Sequence, residues 1–148
     1  MILMNLISTA SSEEFYKIEE IGKLSLPIYY TKFDLLMLRL TNHTILKIND
    51  NNNIIGYLVY NTVKKEKRIH IMSIGILEDY RRKNYGSKLI EHLKNTDSDK
   101  ISLYVQVNNT KAINFYQKNN FKIDKKIVDY YENLKVNDAL YMVYDNST

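Results

Sequence analysis

The stretch RIHIMSIGILEDYRRKNYGSKLIEHL, from Arg68 to Leu93, decides the fold. Arg68 to Leu77 is an apolar run that reads as a strand, and Ser87 to Lys94, with Leu89, Ile90 and Leu93 inward, reads as an amphipathic helix. Between them lies a basic, glycine-containing turn: Arg81, Arg82, Lys83, Asn84, Tyr85 and Gly86. The first turn of a helix carries backbone N–H groups without intrahelical partners and a partial positive charge. A strand that delivers such a turn into a helix N-terminus makes a cradle for a pyrophosphate, so the expected ligand is a nucleotide-like anion. Taken alone, the same pattern also describes a solvated turn without function.

A second strand, turn and helix follows. Ile101 to Val107 reads as a strand, Asn95 to Lys100 as the polar loop before it, and about Asn109 to Lys118 as a helix. Because a helix separates the strands at 68–77 and 101–107, they are expected to be parallel, as in a βαβ unit. Upstream, Met1 to Ile7 reads as an opening strand, and Ser11 with Glu14 as a capping box ahead of Phe15, Ile18, Ile21 and Leu24. Pro27 ends that helix, and a second one, about Lys32 to Leu40, sets Phe33, Leu36, Met37 and Leu40 on one face. Thr44 to Ile48 and Ile54 to Val63 form a hairpin around Asp50 to Asn53; after the Lys64 to Lys67 turn, Gly75 is the expected bulge in the next strand. Phe121 to Val128 and Ala139 to Tyr144 complete the strands, the latter with Tyr141 and Tyr144 as core residues. The expectation is one mixed α/β domain over residues 1–148.

Composition narrows the functions. With no cysteine among 148 residues, a disulfide framework, a thiolate zinc site and a cysteine nucleophile are excluded, and a reducing compartment fits. His43, His70 and His92 lack metal-ligand spacing, so no metal is expected; His92 is expected in solvent and His43 in a loop. The formal charge of +4 suits an anionic ligand, but the basic residues are interspersed with acidic ones and no nucleic-acid fingerprint accompanies them. The apolar opening lacks a basic flank and is too short to span a bilayer.

Together, the two blocks resemble the GCN5-related N-acetyltransferase (GNAT) superfamily. Its first motif runs Arg or Gln, two residues, Gly, one residue, Gly or Ala; Arg81, Asn84 and Gly86 occupy those places. The second aligns through Asn109, Ala112, Phe115, Tyr116 and Phe121. Asn84 and Asn120 stand where that family has glycine, a mild change because asparagine tolerates the left-handed backbone best after glycine. The resemblance implies a GNAT fold: a mixed sheet of six to seven strands, flanking helices, and a parallel pair that splays apart to take the pantetheine arm of acetyl-CoA. Contact would come from the backbone of Ser73, Ile74, Gly75, Ile76 and Leu77 and from the cradle residues Arg81, Arg82, Lys83, Asn84, Tyr85, Gly86 and Ser87. Tyr116 would lie near the thioester sulfur and protonate or hydrogen-bond the departing thiolate, or is simply a core tyrosine. Asn109 would touch the cofactor or cap its helix.

A narrower resemblance runs from about Leu24 to Tyr144, through Leu26, Pro27, Ile28, Tyr30, IHIMSIG, LYVQVNN and the pair Tyr130 and Tyr131. These segments look like the NatE-type catalytic subunits of N-terminal acetyltransferases. The resemblance implies that Leu26, Pro27, Ile28, Tyr30, Tyr130 and Tyr131 wall a groove for the peptide N-terminus, lined also by Met72. Those enzymes carry tyrosine at the position of His70 and histidine at that of Tyr104, so the pair is exchanged here. A neutral His70 would relay a proton through water oriented by Tyr104; the alternative is a core histidine beside a packing aromatic.

The implied reaction is direct acetyl transfer from acetyl-CoA to a protein N-terminus, with methionine first and an apolar residue second. Lysine or small-amine acetylation, and a noncatalytic acyl-CoA-binding module, are the alternatives. The implied partners are peptide N-termini and an auxiliary subunit near the ribosome, with no direct nucleic-acid or membrane contact, in a cytoplasmic or nuclear setting.

Overall fold

A computed structural model of the chain describes residues 6–146. Among them, seven strands form one sheet: β1 (Ile7–Thr9), β2 (His43–Asp50), β3 (Asn53–Val63), β4 (Arg68–Ile76), β5 (Lys100–Gln106), β6 (Lys122–Ile127) and β7 (Ala139–Asp145). Their order is β1-β2-β3-β4-β5-β7-β6, and the β4–β5 pair is parallel while the other neighbours are antiparallel. Four helices flank the sheet: α1 (Phe15–Ser25), α2 (Lys32–Arg39), α3 (Tyr85–Lys94) and α4 (Thr110–Lys118). Of the expected opening strand, residues 1–5 lie outside the described part, and β1 begins at Ile7.

Each face of the sheet buries its own core. Ile69, Ile71, Ile101, Leu103 and Val105 pack with Leu89, Ile90 and Leu93 of α3 and with Tyr116 and Phe121. On the opposite face, Phe15, Ile18 and Ile21 of α1 and Leu35 of α2 cover Ile45, Tyr57 and Val59. Two reciprocal caps set the helix starts there. Glu14 Oε1 accepts from Ser11 N at 2.9 Å, and Thr31 with Asp34 exchanges bonds of 2.9 and 3.1 Å ahead of α2.

The inward face of α2 differs from the sequence expectation. Phe33, Leu36, Met37 and Leu40 do share a face, but they are exposed, while Leu35 is fully buried and Leu38 packs beside it. Leu24 is likewise exposed at the end of α1. Helical spacing identifies an apolar stripe, but it does not rank two such stripes against each other, and here Leu35 and Leu38 are the pair that meets α1 and the sheet.

The bulge in β4 also falls elsewhere. Val59 pairs with Ser73 and Tyr60 with Ile71, so Met72, not Gly75, is the extra residue. The extra residue resets the alternation, and Ile74 and Ile76 then join the α3/α4 core instead of sharing the face of His70. Gly75 has a different cause: a Cβ there would lie 2.6 Å from the Tyr57 ring.

Parallel pairing of β4 with β5 runs from Arg68/Lys100 to Ile71/Leu103 and stops. Beyond that point the strands separate, leaving an opening in the middle of the sheet. Leu35→Ala should cost roughly 2–5 kcal/mol of stability, whereas Met37→Ala should change it by less than about 0.5 kcal/mol. Urea unfolding of both variants checks which α2 face is inward; equal costs would contradict this assignment.

Candidate active site

The opening is bounded on one edge by the backbone of β4. Leu77 N–H donates to Ile55 O, so in the antiparallel alternation the N–H and C=O groups of Ile74 and Ile76 point away from β3, toward the opening. The Ile76 carbonyl accepts from Arg81 Nε at 2.9 Å, which folds the start of the basic turn back against the strand. The turn then needs two left-handed residues, Arg82 at φ 65° and Asn84 at φ 66°. Asn84 thus adopts the conformation for which the glycine pattern is suited, immediately before α3. The early N–H groups of Tyr85, Gly86 and Ser87 have no carbonyl one turn earlier within the helix. Gly86 serves helix packing: its Cβ would lie 3.0 Å from Phe115 of α4.

These features fit the diphosphate and pantetheine parts of acetyl-CoA. The exposed cations of Arg82 and Lys83, the N-terminus of α3 and the free backbone groups of β4 lie in the order that such a ligand requires. The Asn109 side chain caps α4, accepting from Ala112 N at 3.2 Å. At the other end, Asn120 at φ 71° closes the helix: its N–H reaches Gln117 O and Phe121 N–H reaches Tyr116 O, both at 3.0 Å. That closure holds Tyr116 in the core, with burial pushing its phenol pKa upward, so the hydroxyl stays protonated.

The opposite face of the opening carries an aromatic cluster. His70 and Tyr104 meet edge-on with ring centroids 5.3 Å apart; Tyr104 stacks on Tyr130 at 4.2 Å, and Tyr130 meets Tyr131 at 4.9 Å. Tyr141, expected in the core, instead lies beside Tyr104 at 5.0 Å. Tyr130 and Tyr131 come from the β6–β7 loop, which is pinned by Tyr131 N–H to Asn137 O at 2.9 Å and Gln106 Nε2 to Val136 O at 2.7 Å. Burial first, then Tyr130 and the Asp34 carboxylate, raise the pKa of the Tyr30 phenol in the α1–α2 connection. Within that connection Leu26 is half-buried while Pro27 and Ile28 are exposed; Met72, at the bulge, is also exposed. A recess of about 250 Å³ lies between the end of α1, at Leu24 and Ser25, and the segment Leu77, Glu78, Asp79, Tyr80 and Arg81 that leads into the cradle.

His70 is half-buried, and its Nδ1 lies 2.7 Å from Ser102 Oγ. Burial first, and the Arg68 guanidinium second, lower its pKa to about 4, so the ring is neutral at pH 7. Burial and Tyr130 push Tyr131 up to about 12. His70 and Tyr131 are therefore both uncharged at pH 7.

The Acetyltransferase (GNAT) family pattern matches residues 6–121. The chain belongs to the GNAT family. This GNAT chain is 38% identical over 81 residues to N-alpha-acetyltransferase 50 of Danio rerio, covering 51% of the chain and 48% of that protein. It is 37% identical over 81 residues to the probable N-acetyltransferase san of Drosophila melanogaster, covering 51% of the chain and 44% of that protein. It therefore spans about half the length of the curated relatives it matches. Among solved structures it superposes on the ribosomal-protein-S18-alanine N-acetyltransferase of Escherichia coli with a TM-score of 0.85 at 19% identity, covering 98% of this chain and 96% of that one. For Arabidopsis thaliana Naa50 in complex with the bisubstrate analogue CoA-Ac-MVNAL, the TM-score is 0.78 at 23% identity, with 94% and 97% covered. These likenesses show the GNAT fold.

Sequence reading missed three side chains that organise this GNAT site. Tyr57 reaches from β3 across Gly75 to Ser73, hydroxyl to hydroxyl at 2.7 Å, and Arg68 and Ser102 flank His70. Strand register alone brings His70 opposite Ser102, and no local pattern announces it.

Because the folded protein keeps His70 neutral, the unfolded chain takes up a proton between pH 6.5 and about 4 that the folded one does not. Stability should therefore fall as pH drops through that window, by about 2 kcal/mol once screening at a partly exposed group is allowed for. Urea titrations at pH 7 and pH 4 should show this loss in the wild type and a smaller one in His70→Gln; equal losses would remove His70 from the effect.

Proposed function

We propose that this chain transfers an acetyl group from acetyl-CoA directly to the α-amine of a protein N-terminus, with methionine first and an apolar residue second. The observation that carries the reading is the pairing of a basic, helix-capped cradle with a wall whose side chains, His70, Tyr104, Tyr130, Tyr131 and Tyr30, are all aromatic, the Asp34 carboxylate beside Tyr30 being engaged by Thr31. A polycationic small amine would need negative charge at that wall, whereas a single neutral amine followed by apolar side chains does not. The similarity to curated N-alpha-acetyltransferases supports the same choice.

Acetyl-CoA supplies the acetyl group as a thioester. The chain holds the amine near the parallel-strand opening, between the α1–α2 connection and the β6–β7 loop. A histidine of pKa about 4 is a poor acceptor for a proton from an ammonium of pKa about 7.7–8, so the amine enters already neutral. Its surplus proton leaves by water at the exposed side of the aromatic cluster. Tyr116, kept protonated by burial, donates a hydrogen bond to the departing thiolate, and the proton that the amine sheds to water balances the thiol formed. With no cysteine in the chain, an acyl-cysteine intermediate has no carrier, and direct attack remains. The same reading places the protein in the cytoplasm or nucleus, working with an auxiliary subunit that presents nascent N-termini.

The test is CoA release from acetyl-CoA with a Met-Leu peptide, beside the same peptide N-terminally blocked but carrying an internal lysine. Turnover should be confined to the free N-terminus; no turnover despite measured acetyl-CoA binding would overturn the proposal, and turnover on the blocked peptide would move it to lysine. Tyr131→Ala should raise peptide KM about tenfold and leave acetyl-CoA affinity nearly unchanged, whereas parallel loss of both would indicate a folding defect.

A further inference from the structure

We propose that Ser102, oriented by Arg68, fixes His70 as the neutral tautomer protonated on Nε2, so that the ring offers an N–H rather than a lone pair on the side turned away from Ser102. Ser102 is the one polar side chain found fully buried among the described residues. Its Oγ has two partners, Arg68 Nη1 and His70 Nδ1, each at 2.7 Å. A guanidinium only donates, so it occupies a lone pair of the hydroxyl. Nδ1 is then the acceptor at hand for the hydroxyl hydrogen. Were Nδ1 to carry the proton instead, two donors would converge on one oxygen, and a buried O–H would have nowhere to go.

The order along the relay is set from outside inward. Glu66 Oε2 accepts from Arg68 Nε at 2.8 Å and anchors the guanidinium. Arg68 Nη1 donates to Ser102 Oγ, Ser102 donates to His70 Nδ1, and the proton of the neutral imidazole remains on Nε2. Arg68 and His70 lie two residues apart on β4, and His70 is register-paired with Ser102 on β5, at the last but one pair before the strands separate. The fixed N–H thus sits at the mouth of the opening. The other ring that contacts His70 is that of Tyr104, whose edge-on approach restricts how the imidazole turns.

Resting on the acetyl-transfer reading, this assignment gives His70 a definite task. It donates a hydrogen bond to an oxygen, either of an ordered water or of the acceptor's first carbonyl, and does not remove the proton from the amine. Ser102 and Arg68 are positioning residues that act through it.

The tautomer is read without substrate. Long-range 1H–15N correlation spectra of the labelled, ligand-free protein at pH 7, with the His70 signals identified by their loss in His70→Gln, should show a protonated Nε2 and an unprotonated Nδ1. In Ser102→Ala the two nitrogens should move toward an exchange average, with Ser102→Thr, which keeps the hydroxyl, restoring the wild-type pattern. A protonated Nδ1 in the wild type, or an unchanged pattern in Ser102→Ala, would overturn the proposal whether or not the protein acetylates peptides. With a Met-Leu peptide, Ser102→Ala should lower kcat about tenfold with peptide KM and acetyl-CoA affinity unchanged, and kcat/KM should rise with pH on the ionisation of the peptide amine, without an inflection near 6.5. Wild-type kcat in Ser102→Ala would remove the tautomer from the reaction.

Discussion

Parallel pairing between β4 and β5 ends at Ile71 and Leu103, and nearly everything specific to this molecule follows from that interruption. A sheet interior cannot leave backbone N–H and C=O groups without partners, because each buried unpaired group costs free energy comparable to a lost hydrogen bond. Here the groups of Ile74 and Ile76 are turned toward the opening by the extra residue at Met72. One carbonyl is satisfied internally by Arg81, and the rest are available to an extended, amide-bearing ligand arm. Tyr57 keeps the other side of the strand in place: its ring fills the space over Gly75, its hydroxyl bonds Ser73, and Gly22 of α1 closes over it, with a Cβ there 3.2 Å from the phenol oxygen. The opening is thus supported from α1 through β3, not merely left between two diverging strands.

The same interruption divides the chemistry by face. On the α3/α4 side lie the basic turn, the helix N-terminus and Tyr116; on the side of α1 and α2 lie His70, Tyr104, Tyr130 and Tyr141. A cosubstrate threading the opening reaches both. The asparagines at 84 and 120 do for these elements what glycine does elsewhere, holding φ near +70° at the entry of α3 and the exit of α4. The left-handed Arg82 is less usual, since a long side chain has no local hydrogen bond to offset that conformation.

Features carried by local chemistry were legible in the sequence. The β2–β3 hairpin, the basic turn into α3 and the Ser11–Glu14 cap all follow from periodicity or spacing within a few residues, and each stands where expected. The failures share a cause. The orientation of α2 depends on which of two apolar sets meets α1 and the sheet, and four leucine-like residues outward against Leu35 and Leu38 inward cannot be ranked by spacing. The bulge at Met72 and the contact of His70 with Ser102 depend on register between strands distant in sequence, as does the approach of Tyr141 to Tyr104. Of the residues suggested by family resemblance, His70, Tyr104, Tyr130 and Tyr131 meet in one aromatic cluster, yet the side chains beside them, Arg68, Ser102 and Tyr57, lie outside any motif.

The neutrality of the wall bears on which amine the proposed reaction accepts. Burial lowers His70 to about 4 and raises Tyr131 to about 12, so neither carries charge near pH 7, and the aromatic cluster presents no anion to hold an ammonium. A site of this kind binds the fraction of an amine that is already deprotonated. At pH 7 that fraction is roughly 10% for an α-amine and about one in 2,500 for a lysine side chain, a ratio on the order of 200. That ratio corresponds to about 3 kcal/mol of discrimination before any contact with the rest of the substrate. On the proposed reading, an exposed lysine would compete poorly even where it reached the opening, and a preference for a chain terminus would arise from the absence of charge on the aromatic rings as much as from the shape of the groove.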